Sequence, residues 1–303
     1  MSRTTLSIAT GKYTGDSGAA KTITVGFKPD LILVKRGDAT AAATIKMPGD
    51  LTHDTSTEFY LQGAALTNSI LHATETGFVV GTSGFANTAG AAYYWLAIKA
   101  PKSFMFGGGY QGSGAPKSVT DAQMLFTPDF LWAMCTTHAV GFATFKQGNS
   151  ADDGARLSAL AAGASLVTGM ISGGFNVSAS SDVNSASYRY LYTAFKHHPD
   201  CITSGEYIGT GAGRDVALAF RPDVLIVRNI DAAVGGIFYT SGMQADGVGA
   251  ARMGNSTTLG GITLTDAGFS VTGLTELSGS GNRHKYFAFK AGNFSERLSR
   301  SVV

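Results

Sequence analysis

Five short stretches bring together residue types that do chemistry in enzymes and metal sites. Gly15-Asp16-Ser17-Gly18 has the form of the nucleophile turn of serine proteases. That turn works only with a histidine base, an aspartate behind it and amides placed for the oxyanion. No histidine precedes it, and the matching glycine loops further along lack the serine, so no catalytic residue is expected there. Gly107-Gly108-Gly109-Tyr110-Gln111-Gly112 spells G-x-G-x-x-G after Phe104-Met105-Phe106. A dinucleotide site needs a helix next, whose N-terminus holds the pyrophosphate. Ser113-Gly114-Ala115-Pro116-Lys117 starts no helix, and no cofactor is expected. His197, His198, Asp200 and Cys201 are metal-ligating types beside Pro199 in a linker. Adjacent histidines on extended backbone point to opposite sides, and no metal is expected. Asp152-Asp153 has no histidine or further acid at hand for general acid–base work. Arg36-Gly37-Asp38 spells the integrin tripeptide once and does not recur.

What does recur is a set of landmarks that must come from the scaffold. Gly-x-Tyr-x-Gly stands at Gly11 to Gly15, Gly108 to Gly112 and Gly205 to Gly209, with Tyr13, Tyr110 and Tyr207 spaced 97 residues apart. Phe-x-Pro-Asp follows at Phe27 to Asp30, Phe126 to Asp129 and Phe220 to Asp223. Then come Gly77-Phe78, Gly174-Phe175 and Gly268-Phe269. Each repeat closes on an aromatic, one residue, Ala, an apolar residue and Lys, as in Trp95 to Lys99, Tyr192 to Lys196 and Tyr286 to Lys290. A scaffold stated three times argues against a single grafted active site.

Strand signals fill the repeats. Leu31-Ile32-Leu33-Val34-Lys35, Phe130 to Met134 and Val224 to Arg228 are apolar runs of strand length, each entered through Pro-Asp. Proline lacks an N–H and so punctuates between strands, and the aspartate is expected to bond nearby amides of the turn. Helical periodicity is nearly absent, and only Ala155 to Ala161 could make two turns of helix before Gly163. Seven or eight short strands per repeat predict an all-β chain of three tandem antiparallel β-sandwich domains, jelly-roll or lectin-like, of about 97 residues each. The boundaries fall at 1–100, 101–198 and 199–303, the last carrying a tail from Asn293 to Val303. The linkers after Lys99 and Lys196 are too short to let neighbours swing freely.

Composition narrows the function classes. Charged residues are 15% of the 303, against roughly 25% in ordinary soluble chains. Forty glycines and a net charge of +2, with no basic run, leave no electrostatic footprint for nucleic acid. Cys135 and Cys201 do not occupy matching positions, so two free thiols in a reducing compartment are expected. Met1 to Thr5 opens no signal peptide and no apolar run reaches 18 residues, so membrane insertion is not expected.

One face remains for binding. By period two, Tyr93, Trp95, Ala97 and Lys99 share a side of the first closing strand. Tyr188, Tyr190, Tyr192, Ala194 and Lys196 do so in the second, and Tyr286, Ala288 and Lys290 in the third. An aromatic face edged with lysine suits an interface or a sugar-stacking platform, or else ordinary packing between repeats. Trp95, Tyr192, Tyr286, Lys99, Lys196 and Lys290 are therefore the candidate binding residues.

With these motifs in view, and with Asn87, Asn184 and Asn282 ahead of the closing strands, the chain resembles tandem β-sandwich repeats of bacteriophage virion proteins, of tail-fibre or decoration type. The resemblance covers nearly the whole chain and implies a non-enzymatic particle component. The expected role is a surface decoration (cement) protein that stabilises the capsid. The alternative is a tail-fibre or tail-tip adhesin that binds host glycan through the repeated aromatic faces. The implied partners are capsid or tail subunits, with many copies per virion, assembled in the host cytoplasm.

Overall fold

A computed structural model of the chain describes residues 5–38, 41–48, 54–60, 65–135, 143–148, 154–159, 165–254 and 258–295. It is all-β, and every named strand pair is antiparallel. The larger sheet of the first repeat runs, in spatial order, Thr5–Thr14, Ala92–Lys99, Leu31–Arg36, Thr44–Lys46, Thr55–Glu58 and Leu66–Thr67. The second repeat follows the same order with Met105–Gln111, Arg189–Phe195, Phe130–Cys135, Thr144–Gln147 and Ala155–Arg156. The third uses Ile202–Ile208, Arg283–Phe289, Val224–Asn229, Ile237–Thr240, Ala250–Arg252 and Thr258–Leu259. Each repeat adds a three-stranded sheet with the Gly-Phe strand in its centre: Gly77–Val80, Gly174–Val177 or Gly268–Val271. The helices among the described residues are single turns, Ser181–Asn184, Ser241–Ala245 and Thr275–Ser278. None is long or apolar enough to cross a membrane.

The helix expected from Ala155 does not form at its start. Ala155–Arg156 is a strand laid on Thr144 and Phe145, because Ala155 and Leu157 enter the core at alternate positions. Tertiary burial here overrides local helix propensity. Residues 160 and 161, at the end of that stretch, lie outside the described residues, as does Asp152-Asp153.

The closing strand lies between the opening strand and the strand after Pro-Asp, so both its edges are paired. Its inner face carries Leu96 and Ile98, Leu191 and Phe195, or Phe287 and Phe289, and these belong to one apolar cluster drawn from all three repeats. The main core is therefore shared and is not three separate interiors. Rings cross the boundaries: Phe130 of the second repeat lies 5.1 Å from Phe287 of the third, and Phe59 of the first 5.2 Å from Trp132 of the second.

The repeats close into a ring. Pro48 of the first abuts Gly107 of the second. Gln147 of the second donates from Nε2 to the carbonyls of Gly205 and Tyr286 in the third, at 3.1 and 2.8 Å. Asp246 of the third takes the Lys12 ammonium at 2.6 Å and the Tyr94 hydroxyl at 2.7 Å, both in the first. At one end of the central axis, backbone hydrogen bonds of 2.7 to 2.8 Å step from Leu157 to Ala143, Gly236 to Leu157, Met253 to Gly236, Ala43 to Met253 and Phe59 to Ala43. The collar thus takes two residues from the second repeat, two from the third and two from the first in turn. The tail expected beyond the repeats begins as a strand: Gly292–Ser295 pairs with Thr5 to Ile8 of the first repeat.

The Pro-Asp aspartate acts at longer range than a turn residue. The carboxylates of Asp30, Asp129 and Asp223 accept from the amides of Ala100, His197 and Ala291, at 3.0, 2.7 and 2.9 Å. Their own amides donate to Ile98, Phe195 and Phe289, each at 2.8 Å. Every repeat thus ties the exit of its closing strand to the corner where the neighbouring strand begins. Replacing Asp129 with Ala removes the bond to His197 and the ion pair to Lys196 at 3.2 Å. The expected outcome in urea unfolding is a loss of about 1–3 kcal/mol with an unchanged m-value.

Candidate functional site

The aromatic face of the closing strands is where binding was expected, and the structure covers it. Trp95, Tyr192 and Tyr286 keep only 6%, 2% and 9% of their surface. The covering layer is the three-stranded sheet of the same repeat, not a neighbouring repeat. Phe78, Phe175 and Phe269 from the Gly-Phe strands meet these rings edge-on, at 5.8, 5.0 and 5.5 Å. Beneath them lies the first glycine of Gly-x-Tyr-x-Gly. A Cβ on Gly11 would fall 2.7 Å from the Trp95 ring, and one on Gly108 would fall 2.9 Å from the Tyr192 hydroxyl. Gly205 is crowded in the same way by Tyr286. Glycine is there because a ring occupies the space of its side chain.

The tyrosine of the motif is equally committed. Tyr13 stacks on Tyr93 and Tyr110 on Tyr190, both with centroids 5.2 Å apart, and Tyr207 stacks on His284 at 5.0 Å. Their hydroxyls donate to the carbonyls of Ala86, Val183 and Leu277 at 2.5 to 2.6 Å. Burial pushes Tyr13 and Tyr110 well above the ordinary phenol range, and Tyr190 up to about 12. His284 stands where the first two repeats have a tyrosine: its Nε2 takes the Gly279 amide at 3.3 Å, as the Tyr93 and Tyr190 hydroxyls take those of Thr88 and Ser185. The asparagine landmark needs one correction. Asn87 and Asn184 accept from the amides of Asp16 and Ser113, at 2.9 and 2.8 Å. In the third repeat the group doing this is Ser278, which takes the Thr210 amide at 3.1 Å, and not Asn282.

The lysines that close the strands stay nearer to solvent. Lys99 is exposed, and Lys196 and Lys290 are half-buried. The structure therefore separates the six candidates into three rings inside the repeats and three ammonium groups at their corners.

The remaining motifs resolve into local ties. Asp16 is held well down, at about 2, by Lys21, with the Gly18 amide and Asn87 assisting. The Ser17 hydroxyl accepts from Ala89 at 2.9 Å. Gly107 to Gln111 lie within the strand Met105–Gln111. Arg36 pairs with Asp38, with Nε and Nη2 each 2.6 Å from a carboxylate oxygen. His197 Nε2 sits 2.8 Å from the Ser204 hydroxyl and also accepts the Ser204 amide at 3.1 Å. Asp129 takes the backbone N–H of His197 and not its ring, so the contact fastens the crossover between repeats and lacks the third member of a triad. His198 lies between Phe104 and Phe294, and Cys201 is buried, its thiol pushed up to about 12 by desolvation. Among the described residues no three His, Cys, Asp or Glu side chains converge as metal ligands.

Two groups escaped the motif reading: cations sunk beneath the axial collar. Lys35 and Arg228 occupy matching positions on the strands after Pro-Asp, and both are fully buried. Met134 holds that position in the second repeat. Lys35 donates to the Ala41 carbonyl. Arg228 donates to those of Arg156 and Ala232, each at 3.0 Å. Desolvation brings Arg228 down to about 10 and Lys35 down to about 7, the nearby Asp38 offsetting only part of the latter. Beside the collar, a cavity of about 270 Å³ is lined by Tyr60, Ala159, Gly235, Arg252 and Glu276, with Arg252 and Glu276 paired. Two further clefts, of about 360 and 340 Å³, mark the first–second and second–third boundaries. No protein-family model matches the chain, and no curated protein matches it in sequence.

Two outcomes follow. Trp95→Ala should cost about 3–5 kcal/mol as a core cavity, read by chemical unfolding, with near-UV dichroism reporting loosened packing. Lys35 gives a pH signature. Between pH 10.5 and about 7 the unfolded chain holds a proton that the folded chain has shed, so stability falls as pH is lowered through that window and levels off below it. Lys35→Met, which installs the second repeat's own residue, should flatten that slope in unfolding curves taken from pH 6 to 10.

Proposed function

We propose that this chain is a non-enzymatic structural component of a bacteriophage particle, displayed on its surface as a head decoration protein. The particle setting rests on the resemblance carried by the repeated motifs. The observation that carries the architectural role is the closed ring of three repeats around one core. Such a body offers three similar outward faces and fits a three-fold or pseudo-three-fold position on a shell, where area buried against several subunits stabilises the assembly. The recurrent residues support the same reading, because each is used in packing or in tying strands together. Glycan binding at a tail tip would need a face other than the rings of Trp95, Tyr192 and Tyr286.

The test is co-sedimentation of the purified protein with undecorated phage heads and, separately, with host cells. The expected result is saturable binding to heads and none to cells. Binding to cells alone would turn the reading into an adhesin, and binding to neither would remove the particle role.

A further inference from the structure

The three boundaries between repeats are built alike, yet one of them is cut. At the first, the carbonyl of Pro101 accepts from the amides of Phe104 and Met105, at 2.9 and 3.1 Å, and the chain turns back into the opening strand of the second repeat. At the second, His198 forms a bridge with Ile202, its carbonyl accepting from Cys201 and Ile202, and the chain turns back again. At the third, Gly292 lies beside Ile8, the residue that matches Met105 and Ile202. No turn joins them. The incoming segment runs on as the strand Gly292–Ser295 along Thr5 to Ile8, and Ser295 faces Thr5 across the ladder. The terminal strand and the edge that receives it are the two halves of a missing crossover.

We propose that this edge is an interaction surface for a second copy of the chain, and that Gly292–Ser295 of one copy seats on Thr5 to Ile8 of another in a reciprocal two-fold exchange. Every contact of the strand would be reproduced, since both halves are supplied by the same sequence. The strand carries its own anchor: Phe294 is packed against the shared core and its ring lies 5.7 Å from His198. It also carries its own hinge. Gly292 has φ +151°, and a Cβ there would fall 2.9 Å from the Phe294 ring, so the position suits glycine, which adopts this conformation freely. The ladder is only four residues long, so it holds by proximity more than by strength. In dilute solution a chain's own strand competes at an effective concentration in the millimolar range, which keeps the closed monomer. Copies crowded side by side on a surface reach that range, and exchange then links them. The inference rests on the strand pairing alone and stands or falls apart from the particle reading.

Ser7 and Asn293 face each other in the ladder, at a separation suited to a disulfide. Ser7→Cys in one chain and Asn293→Cys in a second, tagged chain are refolded together in reductant at rising concentration and then oxidised. Cys135 and Cys201 are buried and stay in place. The expected result is a disulfide-linked heterodimer whose yield rises with concentration and disappears when Phe294 is changed to Asp. The Ser7→Cys, Asn293→Cys double variant, oxidised dilute, reports the closed form as a cross-linked monomer. A cross-linked monomer without any heterodimer at high concentration would overturn the proposal, as would the failure of both bonds to form.

Discussion

The fold depends on closing strands that are buried on both faces. Ala92–Lys99, Arg189–Phe195 and Arg283–Phe289 are paired along both edges, so no direction is left open to water along most of their length. Their inner faces meet at the axis and their outer faces lie under small sheets. Each fully buried Leu, Ile or Phe there contributes on the order of 1.5–3 kcal/mol from apolar surface withdrawn from water. The inner faces can be satisfied only collectively, because the partner surface of each repeat is another repeat. That is why linkers of a few residues suffice and why the ring closes instead of extending into a chain of beads. It also accounts for the low charge content: with two buried layers per repeat, few positions remain where a charge reaches solvent.

The same constraint decides where polar groups survive inside. Lys35 and Arg228 sit at the end of the axis where backbone of all three repeats converges, and carbonyl oxygens there take their donors. A methionine fills the third matching position, so the collar tolerates one apolar and two cationic occupants without a change in strand order. Buried cations commonly cost more in desolvation than their contacts return. Under the collar that cost is offset by carbonyls of strand ends and turns, whereas Lys285, equally buried and opposite Arg228 in the ladder, has the Glu206 carboxylate at 3.5 Å.

Much of the fold was legible because its landmarks are steric. Gly11 and Trp95, Gly108 and Tyr192, or Gly205 and Tyr286 recur together since each glycine makes room for its ring, and alternation in the closing strands gave both faces. Alternation cannot say what covers a face. It left interface, sugar platform and packing between repeats all open for the aromatic face, and the actual cover is a small sheet of the same repeat, with two strands shortly before the ring and one, such as Lys21–Thr24, near the repeat's start. Asp30, Asp129 and Asp223 looked like turn residues because their partners, 68 to 70 positions away, leave no local trace. Ser278 was missed in favour of Asn282 because hydroxyl and amide oxygens accept the same bond, so matching by residue type chose the wrong position. The burial of Lys35 and Arg228 had no signal either, since a cation closing an apolar strand ordinarily marks its exit into solvent.

The ring has three boundaries but only two covalent crossovers, so a linear chain must leave one seam to noncovalent contacts. Nothing in the core requires that seam to fall between the third repeat and the first; a chain begun elsewhere in the cycle would bury the same faces. What distinguishes this seam is what has gathered there: a terminal strand with its own phenylalanine, and the Asp246 carboxylate shared between Lys12 and Tyr94. Among the described residues the other two boundaries show neither, and a peptide link crosses each of them. That joint is held by the ladder between Gly292–Ser295 and Thr5 to Ile8 together with the Asp246 contacts, so its strength is set by side chains and hydrogen bonds and not by a peptide link.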